Sequence, residues 1–147
     1  MPREFHTVLC GTDFSEASYR AADYGLRFAK NALGTLILTH VVHVPAGDLL
    51  AEKAYTLNFQ EAEARVMGFL QELQAGRLGG YPKCELRVEV GDPAEQLLKI
   101  ARERKVDLVI TSTHGRSGLA HLVMGSVAEK IIRHAPCPVL VVRAGVD

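Results

Sequence analysis

Short, β-rich apolar runs alternate along this chain with longer segments of helical period, and this alternation restricts the fold more than any other feature. The stretches "HTVLCGT" (6–12), "TLILTHVVHV" (35–44), "CELRVEV" (84–90), "VDLVITS" (106–112) and "PVLVV" (138–142) read as strands. The second is almost continuously apolar, the mark of a strand buried on both faces. The third alternates and carries one polar face, which predicts a place near a sheet edge. Between the strands, Ala17, Ala21, Tyr24 and Phe28 keep helical spacing until near Gly34. Pro45 and Gly47 lead into a long helix with Ala62, Val66, Phe69, Leu70 and Leu73 on one face, broken at "GRLGGYP" (76–82). Asp92 as N-cap, Pro93 at the first helical position and Glu95 completing a capping box predict a helix start, and a last helix is predicted from Ser126 to His134.

The order β-α-β-α-β-α-β-α-β, with no internal repeat or linker, predicts parallel pairing through helical crossovers. The expectation is one doubly wound α/β domain over residues 1–147, with helices on both faces of the sheet. In such sheets ligands lie beyond the carboxyl ends of the strands, where the strand order reverses. Three segments follow strands in the required way: Thr12-Asp13, His40 to Val44, and Ser112 to Ser126.

Composition narrows the function classes. Seventeen basic and seventeen acidic side chains give a formal charge of zero, and no Lys/Arg cluster forms the basic face that nucleic acid demands. No apolar run approaches the roughly 20 residues of a membrane span. Cys10, Cys84 and Cys137 are widely spaced, with no CxxC, and read as free thiols of a cytoplasmic protein.

The segment "STHGRSGLAHLVMGS" (112–126) concentrates glycine and serine directly after a buried strand. At its end Ser126 and Glu129 have capping-box spacing, so Ser126 either caps the last helix or, with the free amides of that helix terminus, holds phosphate. Asp13 is open in the same way. It can cap the first long helix with Glu16 reaching back, or it can face a ribose, a base or a metal ion. His40 and His43, three apart on an extended strand, point to opposite faces and predict no metal site. The phosphate loop GxxxxGK[ST], a GxGxxG after the first strand and a GxSxG elbow are all absent, as is a nucleophile–base constellation.

The spacing Ser112-x2-Gly115-x9-Gly125-Ser126 resembles the nucleotide motif G-x2-G-x9-G-[ST] of the universal stress protein A family. "TDFSEAS", "THVV", "GDPAEQLLKIA" and "GSVAEKIIRHAPCPVLVVR" resemble that family in the same order, over essentially the whole chain. The resemblance implies a five-stranded parallel sheet ordered 3-2-1-4-5. It also implies ATP or a related adenine nucleotide as ligand, with Mg²⁺ accompanying it, and a homodimer through the strand Pro138–Arg143. By position, Thr12 and Asp13 would face the adenosine, Val41 the adenine, and Gly115 and Arg116 the phosphate path. Gly125, Ser126 and Val127 would hold the phosphates. No metal site made by protein ligands alone is implied, with Asp13 the candidate toward Mg²⁺. The implied activity is stress signalling through the bound state, read by a protein partner, with any hydrolysis or self-phosphorylation slow. An interaction module that binds no nucleotide, and an enzyme on the same fold, are the competing classes. The motif's first glycine is Ser112 here. A positive φ at that position would make serine costly, whereas extended backbone would accept it.

Overall fold

A computed structural model describes residues 4–45, 47–113 and 124–143. The elements are β1 (Thr7–Gly11), α1 (Glu16–Asn31), β2 (Thr35–His43), α2 (Leu49–Ala75), β3 (Cys84–Gly91), α3 (Pro93–Glu103), β4 (Leu108–Ser112), α4 (Ser126–His134) and β5 (Val139–Val142). The five strands form one sheet in the order β3-β2-β1-β4-β5, and every pairing is parallel. Both the predicted doubly wound α/β class and the predicted order are thus observed. The direction of winding reverses where β1 pairs with β2 on one side and β4 on the other, opening a crevice at their carboxyl ends.

Strand alternation divides the core into two layers. Val8, Cys10, Leu36 and Leu38 pack with residues of α1 and α2, including Ala21, Ala22, Leu70 and Leu73. Leu9, Ile37, Val41 and Val109 pack on the other face with Leu97, Leu98 and Ile100 of α3 and Ile131 of α4. Small residues on the buried side of α1 (Ala17, Ser18, Ala21, Ala22, Gly25 and Ala29) let that helix lie close to the sheet. A Cβ on Gly25 would sit 2.9 Å from Leu36 Cδ1, so only glycine fits without repacking.

The long helix α2 is bent at Asn58, whose φ of −117° and ψ of 16° depart from helical values. Its second half carries the predicted apolar face, with Leu70 and Leu73 buried, while Phe69 remains 47% exposed. β3 is the edge strand its alternation predicts. Cys84, Leu86 and Val88 turn toward the α1/α2 layer. Glu85, Arg87 and Glu89 occupy the alternate positions, with Arg87 paired to Glu89 at 2.7 Å and Glu85 to Arg104 at 2.6 Å.

Candidate functional site

A pocket of about 320 Å³ lies at the winding reversal, on the α3/α4 side of the strand ends. β1 and its turn supply Gly11, Thr12 and Asp13, β2 supplies Thr39 to Val41, and β4 with its extension supplies Thr111 to Thr113. Pro93 and Leu97 of α3 make an apolar wall, and Gly125, Ser126 and Val127 close the opposite side. Gly11 is required by a close approach: a Cβ there would meet Leu97 Cδ1 at 2.9 Å.

The β1–α1 turn is held by its own side chains. Ser18 Oγ donates to the Ser15 carbonyl at 2.9 Å, so the proton in the 2.8 Å bond between Thr12 Oγ1 and Ser18 Oγ belongs to Thr12. Thr12 Oγ1 also accepts from Phe14 N at 3.0 Å, which commits its hydroxyl to the turn. Phe14 takes a left-handed φ of 64°, costly for a bulky residue, by about 1–3 kcal/mol. Ring contacts with His40 at 4.8 Å and Phe69 at 5.6 Å hold it there. His40 Nδ1–H donates to the Thr12 carbonyl at 2.8 Å, tying the end of β2 to the same turn.

Two capping expectations are corrected. Asp13 is not the N-cap of α1; Ser15 is, accepting from Ser18 N at 3.2 Å. Asp13 Oδ1 instead accepts from Ser15 N at 3.0 Å, one step earlier, and the residue lines the pocket. Glu16 does not reach back but pairs with Arg77 at 3.1 Å. Nor does Ser126 cap α4: it is the first helical residue, Gly125 is the N-cap, and no side chain caps the helix. Capping-box spacing offered a cap at both positions, but the strand-to-helix turn puts the cap two residues later in α1 and one residue earlier in α4, whose start at Ser126 is as predicted. By contrast, Asp92 caps α3 as predicted, accepting from Glu95 N at 2.9 Å.

The N-terminal turn of α4 therefore presents backbone donors that no side chain among the described residues caps. Glu129 N is the first amide with an intrahelical partner, the Gly125 carbonyl at 3.0 Å, and Gly125 N donates to the Thr113 carbonyl. Ser126, Val127 and Ala128 have amides with no intrahelical acceptor and no capping side chain. Lys130 fixes this helix to the start of α3, 3.0 Å from Glu95 and 3.6 Å from Asp92. Among the described residues lining the pocket, Asp13 is the sole carboxylate, and no Lys or Arg is present.

Ser112 lies inside β4, pairs with Val142 and has no positive φ. Serine there carries no backbone penalty. Thr12, Asp13, Val41, Ser112, Gly125, Ser126 and Val127 all line the one pocket, while Gly115 and Arg116 fall outside the described residues. Sequence reasoning did not single out Gly11, Ser18, Thr39, Pro93, Leu97 or Thr111. The period-two rule applied backward from Val41 would have found Thr39, but no local pattern announces that an α3 side chain leans over β1. Among the described residues no cluster of three His, Cys, Asp or Glu could hold a metal ion, and no helix is long and apolar enough to cross a membrane. Cys10 offers no nucleophile, since burial pushes its thiol up to about 12.

Residues 4–143 match the family model described as "Universal stress protein family". A universal stress protein of Thermus aquaticus is 32% identical over 141 residues, covering 95% of this chain and 99% of that protein. Among solved structures, the Methanocaldococcus jannaschii protein MJ0577 superposes with a TM-score of 0.81 at 26% identity, covering 98% of this chain and all of that one. A universal stress protein crystallised in complex with cAMP gives a TM-score of 0.71 at 27% identity, with 96% and 98% coverage.

Proposed function

This chain belongs to the universal stress protein family, and from that premise we propose that it binds an adenine nucleotide, ATP with Mg²⁺ in the first instance, at the winding-reversal pocket. The observation that carries the reading is the N-terminus of α4, which no side chain among the described residues caps and whose first residues, Gly125, Ser126 and Val127, line a pocket with an apolar wall of Pro93 and Leu97. A helix terminus of this kind attracts anions through both its donors and its dipole. Pro93, Leu97 and Val41 offer the apolar surface a purine needs, and Asp13 stands where it can accept from ribose hydroxyls or approach a phosphate-bound Mg²⁺. The complex of a related family member with cAMP supports the ligand class.

In this reading the pocket binds nucleotide, and any turnover is slow. Its described lining has no Lys or Arg to stabilise charge developing on a transferred phosphoryl group. The reading is that the protein acts by its occupancy: bound nucleotide shifts its conformational population, and a protein partner reads that shift. The test is direct. Freshly purified protein is denatured and the released small molecules are separated by anion exchange, and calorimetry measures Mg-ATP binding to the emptied protein. Released adenine nucleotide or a saturable ATP isotherm supports the reading, and the absence of both refutes it.

A further inference from the structure

Thr39 is a polar residue at a position that packing alone would fill with valine. It is fully buried, and its Oγ1 has no hydrogen-bond partner among the described residues. Strand alternation puts it on the same face of β2 as Ile37 and Val41, and it lines the pocket. The neighbour across the sheet cannot satisfy it, because Thr39 is in register with Gly11, which has no side chain. On the far side of Gly11, Thr111 also lines the pocket from β4. Leu97 of α3 packs over the bare glycine between these two hydroxyl-bearing residues, so a ligand reaches Thr39 as that side chain turns aside.

A buried hydroxyl without a partner destabilises the fold relative to an apolar group of the same shape. Thr39 sits two residues before Val41, beside the Pro93 and Leu97 wall and across the pocket from the α4 amides. We infer that Thr39 is a specificity-determining residue whose hydroxyl hydrogen-bonds the purine of the bound nucleotide. This rests on the nucleotide reading above and extends it. A threonine hydroxyl donates and accepts, so either a ring nitrogen or an exocyclic amine completes it, whereas a wholly apolar group would leave it unpaired.

The experiment compares the parent protein with Thr39→Val and Thr39→Ser, measuring AMP and ATP affinity by calorimetry and the melting temperature without ligand. Thr39→Val keeps the shape and removes the hydroxyl. It should weaken AMP and ATP by the same factor, about 3- to 10-fold, while the ligand-free melting temperature stays level or rises. Thr39→Ser should keep affinity within about twofold, because it retains the hydroxyl. Parental affinity in Thr39→Val overturns the inference while leaving nucleotide binding intact. So does a loss confined to ATP, which would place the contact on the phosphates. A lowered melting temperature with unchanged affinity also overturns it, by showing that the hydroxyl serves the fold. A parent that binds neither AMP nor ATP removes the nucleotide reading, and this inference with it.

Discussion

Replacing Gly125 with aspartate puts the two roles of the α4 terminus in opposition. Gly125 has φ −63° and ψ 157°, values any L-residue adopts, so the side chain brings no backbone strain. An aspartate there gives the N-cap position the side-chain acceptor that glycine lacks. Its carboxylate accepts from amides of the first turn, worth a few tenths of a kcal/mol over glycine, and its charge at the helix N-terminus adds about 0.3–1 kcal/mol. The ligand-free protein should gain about 0.5–1.5 kcal/mol, a rise of roughly 1–6 °C for a domain of this size. The same carboxylate occupies the donors a phosphate would use and repels it. At about 4 Å and an effective dielectric of 20 to 80, that repulsion is about 1–4 kcal/mol per unit charge, or roughly 5- to 1000-fold in affinity. Adenosine carries no phosphate and should bind Gly125→Asp about as well as the parent. Scanning calorimetry gives the first quantity and titration calorimetry with ATP and adenosine the others. Higher stability with undiminished ATP affinity would falsify the placement of phosphate at α4. An unchanged or lower melting temperature would show that the terminus is already satisfied.

Because Ser126 is the first helical residue and not the cap, Ser126→Ala should change stability by less than about 0.5 kcal/mol, against about 1 kcal/mol for a lost cap. ATP affinity should nonetheless fall about 3- to 10-fold as its hydroxyl contact is lost; a destabilised mutant with parental affinity would reverse both statements. For assembly, bonds from Val109 N to the Pro138 carbonyl and from Thr113 N to the Val142 carbonyl direct alternate β5 residues at β4. Parallel pairing then turns the backbone groups of Val139 and Val141 outward, free to pair antiparallel with a second copy. Light scattering should find a dimer for the parent and a folded monomer for Val141→Pro, and a parental monomer at micromolar concentration refutes the arrangement. Burial raises the Cys10 thiol from 9.0 to about 12 and Cys84 from 9.0 to about 11. Groups held protonated by the fold contribute stability that is complete below about pH 9 and is lost as pH rises toward those values. Urea midpoints should therefore fall between pH 8.5 and about 10.5, less steeply in Cys10→Ala; parallel curves for the two proteins would count against burial as the cause.

Strand existence and helix alternation were legible because both depend on periodicity, which survives without tertiary context. Leu9, Ile37 and Val109 are buried on one face, and their even-numbered neighbours on the other, as continuous apolar runs require. The α3 start was legible because Asp92, Pro93 and Glu95 act within one turn. The start of α4 at Ser126 was legible too, but the cap residues of α1 and α4 were not. Asp13 and Ser126 carry cap chemistry, yet the chain's direction on leaving β1 and β4 decides which residue takes the cap position, and tertiary packing sets that direction. Ser112 was undecidable from sequence for the same reason, since its cost depended wholly on a φ angle that β4 pairing fixes. The pocket's location followed from topology, but its α3 wall did not: Leu97 reaches Gly11 through a contact 86 positions away in sequence, with no local trace.

The two open edges of the sheet are unlike, and this limits how copies can grow. A parallel sheet has polarity, so β5 of one molecule laid beside β3 of the next would repeat the same operation without end and build a fibre. At β3 the incoming strand would have to lie against Glu85, Arg87 and Glu89, whose charges are already engaged with one another and with Arg104 and would lose water on contact. At β5 the side chains are valine and leucine, and no such charge stands in the way. In the dimer expected above, association would take the edge where a two-fold axis closes it after two copies, and the charged β3 edge disfavours a filament.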